Sequence, residues 1–322
     1  MSRTFSDLDR LALNGATMGT RWAALCFVPK GFDRTPLEQA LADAVREVDT
    51  EMSLWKPGSA LNRLNAAAPE NWVSLPESLL TVLGAALAVG CESAGAFEIG
   101  VGAAVSAWGF GPDPADPGAI RAALGQRQRP SWEVLELDPA NRRARKHAPV
   151  RFDLNGIAKG HAVDRMAGAA QALGLTDALL SVDGEVVALG HRPDGSAWPV
   201  AIEAPLYGTR ALQSVLELSD AAVATSGDYR HWVEIGGHRL SHTMDPRRGG
   251  PLAEPPASVT VVAESCMLAD AFATALMVTG PDAGSELARG LGLSALFLLR
   301  DGSEIRARGV GPVFADRAPV GP

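Results

Sequence analysis

Four short strand-like runs follow one another between residues 177 and 227 with no helical segment between them. They read "DALLSVDGEVVALG" (177–190), "WPVAIEAP" (198–205), "ALQSVLEL" (211–218) and "AAVATSG" (221–227). Each is rich in Val, Leu, Ile or Ala and bounded by Gly, Pro, Asp or Ser, the pattern of strands joined by turns. Parallel strands need crossovers of a dozen or more residues, so this spacing excludes regular βαβ alternation. The expectation is an α+β fold, with mixed or antiparallel sheets and packed helices in one compact unit of subdomain-like halves.

The helices come from period. "TPLEQALADAVREVDTEMSLW" (35–55) puts Leu37, Leu41, Val45 and Val48 on one face, with Thr35 as a cap. "ESLLTVLGAALAVGCES" (77–93), "GIAKGHAVDRMAGAAQALG" (156–174) and "CMLADAFATALMVTG" (266–280) also read as helices. Further strands are expected at 18–29 and 258–265, in a hairpin over 295–309, and as strand, Asp-Pro turn, strand from 135 to 153. The Gly/Pro-rich stretch 100–119 reads as loop. We expect a catalytic domain over 15–310, preceded by an extension (1–14) without a signal peptide and followed by a tail (311–322).

Charge narrows the function. The net charge is -8, and "NRRARKH" (141–147) is the one local basic cluster, which argues against nucleic acid as a partner. That cluster reads as a solvated turn between strands. Cys26, Cys91 and Cys266 are far apart and form no CxxC, so they are expected to be buried free thiols. The opening residues hold no continuous apolar run and no lipobox-like cysteine, and the longest apolar runs are too short to span a bilayer. A cytoplasmic protein without membrane insertion is the expectation.

Three stretches can carry chemistry. In "RFDLNGIAKGHAVD" (151–164), Gly156 and Gly160 allow close backbone approach, and a helix starting near Gly156 aims N–H groups at an anion. Lys159 can neutralise a phosphate or pair with Asp153, whose carboxylate can also accept from backbone amides. The bland alternative is a strand, an Asn-Gly turn and a solvated lysine. In "ADAFATA", Asp270 and Thr274 stand i, i+4 on one helix face, where they can hold a hard cation together with backbone carbonyls, or cap and bond within the core. In "HRLSHTMDPRRGGP" (238–251), His242 is an acid/base candidate or part of a surface turn.

Six stretches stand together and in order: "MGT" (18–20), "EMSLWKPGSALNRLN" (51–65), "DLNGIAKGHAVD" (153–164), "ATSGDYRHW" (224–232), "SHTMDPRRG" (241–249) and "SVTVVAESCMLADAFATALMV" (258–278). This set resembles the ApbE family of FAD:protein FMN transferases over residues 15 to 310. The resemblance implies Mg²⁺-dependent transfer of the FMN moiety of FAD to a Ser/Thr hydroxyl of an acceptor protein, releasing AMP. It assigns FAD contacts to Met18, Trp55, Ala96, Phe97, Glu98, Asp153, Lys159 and Met244. It assigns the metal to Asp270, Thr274 and the carbonyl of Gly156, and acid/base work to His242; the competing reading has His242 brace its loop while the metal and a carboxylate such as Asp245 do the activating. The chain departs from the family pattern at Asn155, where Gly is usual, and at Arg248, where Thr is usual. With water as the nucleophile the same site would be an FAD pyrophosphatase; a flavin-binding or delivery protein would have no use for Asp270 and Thr274.

Overall fold

"TRWAALCFVP" alternates strictly: Trp22, Ala24, Cys26 and Val28 are buried on one face, while Leu25 and Phe27 point to the other. A strand with one face buried and apolar side chains packed on the other lies between layers. The computed structural model, which describes residues 8–124, 129–230, 232–235, 238–302 and 304–314, builds those layers around one eight-stranded sheet. Its strands are β1 (Leu8–Thr17), β2 (Thr20–Pro29), β3 (Ala178–Val182), β4 (Glu185–Leu189), β5 (Ala221–Gly227), β6 (Ser258–Ala263), β7 (Ser294–Asp301) and β8 (Glu304–Val310). Spatial order follows chain order, and every neighbouring pair is antiparallel.

The connections carry everything else. Between β2 and β3 run helices α1 (Thr35–Met52), α2 (Glu77–Glu92) and α3 (Ala158–Ala172); between β6 and β7 run α4 (Cys266–Thr279) and α5 (Pro281–Gly290). Helix α1 buries Leu37, Leu41, Val45 and Val48 in the main core, as its period predicts. Each such side chain contributes about 1.5–3 kcal/mol relative to exposure. The opposite face of the sheet is covered by the hairpin Trp198–Glu203/Leu212–Leu218, with Trp198, Leu216 and Leu218 packed on Leu25, Phe27 and Leu298.

Several expectations need correction. β1 begins at Leu8, inside the stretch set apart as an extension, and the tail from residue 315 lies outside the described residues. Cys26 and Cys266 are buried, but Cys91 is exposed on α2. The basic run does turn between two strands, 135–138 and 143–146, with Asn141 and Arg142 exposed, but its far end is not solvated: Lys146 is 3% exposed and donates to the carbonyls of Asn65 and Val150, while Arg143 and Arg145 cover the Trp72 ring. Among the described residues no helix is long and apolar enough to cross a membrane.

Candidate active site

The stretch 151–164 turns out to be one half of a clasp. Asp153 is buried and closes a turn on itself, accepting from the amide of Asn155 (2.7 Å) and from its side-chain amide (3.1 Å). Helix α3 then starts beneath α4. Its Gly160 amide donates to Asp270 Oδ2 (3.0 Å), and at the far side Asp164 accepts from Ser265 Oγ (2.8 Å) and the amides of Cys266 and Met267 (both 2.9 Å). Each helix thus satisfies early amides of the other with a carboxylate, groups that helix starts leave without partners. Of the N–H groups expected to face an anion, that of Gly160 goes to Asp270 and those of Ile157 and Ala158 go to the Leu154 carbonyl.

Close approach makes the clasp possible. A Cβ on Gly160 would stand 2.3 Å from the Cys266 carbonyl oxygen, so this glycine serves helix packing and not a ligand. Gly156 is different. A Cβ there would lie 2.9 Å from Thr274 Oγ1 and 3.3 Å from the Phe97 ring, so its backbone sits against both. Thr274 Oγ1 is also 3.2 Å from Ser226 Oγ on β5. Gly156 from one stretch and the Asp270–Thr274 pair from another come together where α3 meets α4.

Lys159 does not pair with Asp153. Its ammonium lies 2.5 Å from Glu185 and 4.0 Å from Asp183. Burial works against its charge, but Glu185 and then Asp270 outweigh burial and hold the lysine pKa above its ordinary range. Glu185 is 1% exposed, and burial lifts its carboxyl to about 7 against the pull of Lys159. Burial likewise raises Asp270, and it raises Asp153 to about 6. Glu185 was not among the residues expected from sequence. The only signal for it was an acid placed directly after the Asp183-Gly184 turn, which starts β4.

The expected flavin contacts divide into groups. Met18 sits in the turn between β1 and β2 with φ 46°, half-buried against the main core. Trp55 stands 65% exposed after α1, its amide held by Ser53 Oγ. Ala96 and Phe97 are buried, and the Glu98 carboxylate accepts from the amides of Gly100 (2.6 Å) and Ser131 (3.0 Å). His242 stands just before a short hairpin in which Met244–Asp245 pairs with Gly250–Pro251. Met244 packs in a small cluster with Ala104 and Val105, and the His242 ring is edge-on to Phe110 at 6.4 Å. Asp245 Oδ1 accepts from the Arg247 amide (2.9 Å), and its carbonyl accepts from the amides of Arg248 and Gly249. That cluster joins the clasp through Val101, which bridges to Arg151 while Ile99 accepts from the Asp153 amide.

The ApbE family model matches residues 18–297. The chain belongs to the ApbE family. It is 33% identical to the FAD:protein FMN transferase of Klebsiella pneumoniae over 298 residues, covering 90% of this chain and 84% of that protein. Against the FAD:protein FMN transferase of Vibrio cholerae it is 33% identical over 296 residues, covering 91% and 88%. Its fold superposes on the flavin transferase ApbE from Vibrio cholerae with a TM-score of 0.83 at 31% identity, over 94% of this chain and 97% of the other. The apo form of the Pseudomonas stutzeri flavinyl transferase ApbE gives 0.83 at 32% identity, over 94% and 95%. The antiparallel sheet with packed helices is therefore the ApbE fold.

Proposed function

We propose that this chain is an FAD:protein FMN transferase, moving the FMN moiety of FAD onto a Ser/Thr hydroxyl of an acceptor protein and releasing AMP. The observation that carries this reading is the meeting of Asp270, Thr274 and Gly156 at the junction of α3 and α4, in a family whose relatives bear that name.

The donors there fit Mg²⁺. A carboxylate, a hydroxyl and a backbone carbonyl are all hard oxygen ligands, and the site offers no thiolate or imidazole among them. The surroundings favour a cation too, since Glu185 and Asp183 lie beside the Lys159 ammonium and Asp270 adds a third negative group to its field. Bound there, Mg²⁺ supplies charge neutralisation to a pyrophosphate. Lys159 keeps donors beyond the one given to Glu185 and offers them to phosphate oxygens. Trp55 and Met18 offer an exposed ring and a thioether to the isoalloxazine, with Met244 and the segment 96–98 as further contacts, and Glu98 fixes that segment's shape.

The acceptor oxygen attacks the FMN phosphorus, the bond to the AMP oxygen breaks, and the acceptor proton passes to His242. Asp245 is the weaker base candidate because its carboxylate already closes its own turn. The test is a gel: purified protein, FAD, Mg²⁺ and a candidate acceptor carrying an exposed Ser/Thr, read for a fluorescent acceptor band. A band that disappears with chelator and with Asp270→Ala supports the reading. FMN and AMP released with an unlabelled acceptor would replace it by hydrolysis.

A further inference from the structure

Lys159 is half-buried and lies close enough to the buried Asp270 to feel its charge, and partial burial strengthens the attraction of an ammonium for a carboxylate. A direct pair between them would take from Asp270 the lone pairs that a cation needs. The lysine stem is long and flexible, so the position of its head is decided by competing carboxylates. Asp270 is fixed on α4 and engaged by the Gly160 amide. The nearer competitor is Glu185, which holds the ammonium at 2.5 Å, with Asp183 farther off at 4.0 Å.

Glu185 is itself rigidly placed. It is the first residue of β4, paired with Val182 across the Asp183-Gly184 turn. It is 1% exposed, and its Oε2 is buried with no hydrogen-bond partner among the described residues. A buried carboxylate with an orphaned oxygen costs stability, which the pair with Lys159 offsets. The Lys159 ammonium is thus paired with Glu185, and among the described residues no ion pair joins it to Asp270.

We propose that Glu185 is a positioning residue that holds the Lys159 ammonium off Asp270, leaving the Asp270 carboxylate open to a divalent cation. This rests on the metal reading of Asp270 and Thr274 given above. Glu185→Gln keeps the shape and removes the charge, so Lys159 moves to Asp270 and closes the site. Glu185→Gln/Lys159→Met removes the competing ammonium as well and reopens it.

The experiment is calorimetric titration of the full chain with MnCl₂ alone, with circular dichroism melts to establish that each variant is folded. The wild type binds; Glu185→Gln binds at least about tenfold more weakly, the scale of losing a group that supports a metal ligand. The double variant returns to within about threefold of wild type, a rescue that a merely structural role for Glu185 would not give. Equal binding by wild type and Glu185→Gln overturns the proposal, as does a double variant as weak as Glu185→Gln. A wild type that binds no Mn²⁺ overturns the metal reading itself, and the proposal with it.

Discussion

Replacing Gly160 by Ala should loosen the clasp between α3 and α4. The added Cβ would meet the Cys266 carbonyl oxygen at 2.3 Å and Met267 Cα at 2.8 Å, roughly an ångström inside ordinary contact. Both neighbours are backbone, so the helices themselves must part. Parting them by that amount stretches the 3.0 Å bond from the Gly160 amide to Asp270 beyond hydrogen-bonding distance. Overpacking costs about 1–3 kcal/mol, and loss of a bond to a charged group about 1.5–3 kcal/mol. The helix preference of Ala over Gly returns about 1 kcal/mol. The net expectation is a destabilisation of about 3 kcal/mol. Gly168 lies on the same helix, exposed, with nothing within 4 Å of a built Cβ. Gly168→Ala should therefore stabilise, by about 0.5–1 kcal/mol. Urea unfolding followed by tryptophan fluorescence measures both. Equal urea midpoints for Gly160→Ala and Gly168→Ala would contradict a close contact of the two helices at Gly160.

Other outcomes follow from the same geometry. His161 is buried against Ser78, and burial, then Arg165, pushes its pKa down to about 4. The folded protein keeps it neutral while the unfolded chain binds a proton below about 6.5, so stability falls as pH drops from there to about 4. The loss is about 3 kcal/mol over that window, and His161→Gln should be spared it; urea midpoints at pH 7 and 4.5 that fall in parallel for both proteins would contradict this. Asp164→Asn should cost about 2 kcal/mol, because the start of α4 loses its charged acceptor; an unchanged urea midpoint would show that Ser265 caps alone. Trp55→Ala should leave stability within about 0.5 kcal/mol while weakening FAD binding in an equilibrium titration, given its exposure. Equal FAD affinity would remove Trp55 from the flavin contacts.

What the sequence made legible was periodic or locally paired. Helix α1, helix α4 and the hairpin of β7 and β8 each announce themselves within a few residues, and Asp270 with Thr274 is an i, i+4 pair on one helix. The chain kept silent where partners are distant. Glu185 meets Lys159 from 26 positions away, and Asp164 meets Cys266 from 102. Gly160 looked like a phosphate glycine because close approach to a ligand and to a neighbouring helix ask for the same residue. β1 went unread because an edge strand is half solvated: of "LDRLALNGAT" only Leu13 and Thr17 are buried. The helix Gly102–Ala107 was hidden by surrounding glycines and prolines, and α5 by its opening Pro-Asp-Ala-Gly.

The central claim is tested most directly by where the two halves of FAD go. A purified candidate acceptor is incubated with the protein, FAD and Mg²⁺, and its intact mass is measured while released AMP is counted. Transfer predicts an acceptor heavier by FMN less one water, one AMP for each modified molecule, and neither product when the acceptor Ser/Thr is replaced by Ala or the enzyme carries Asp270→Ala. AMP and free FMN appearing together, with the acceptor mass unchanged, would contradict it.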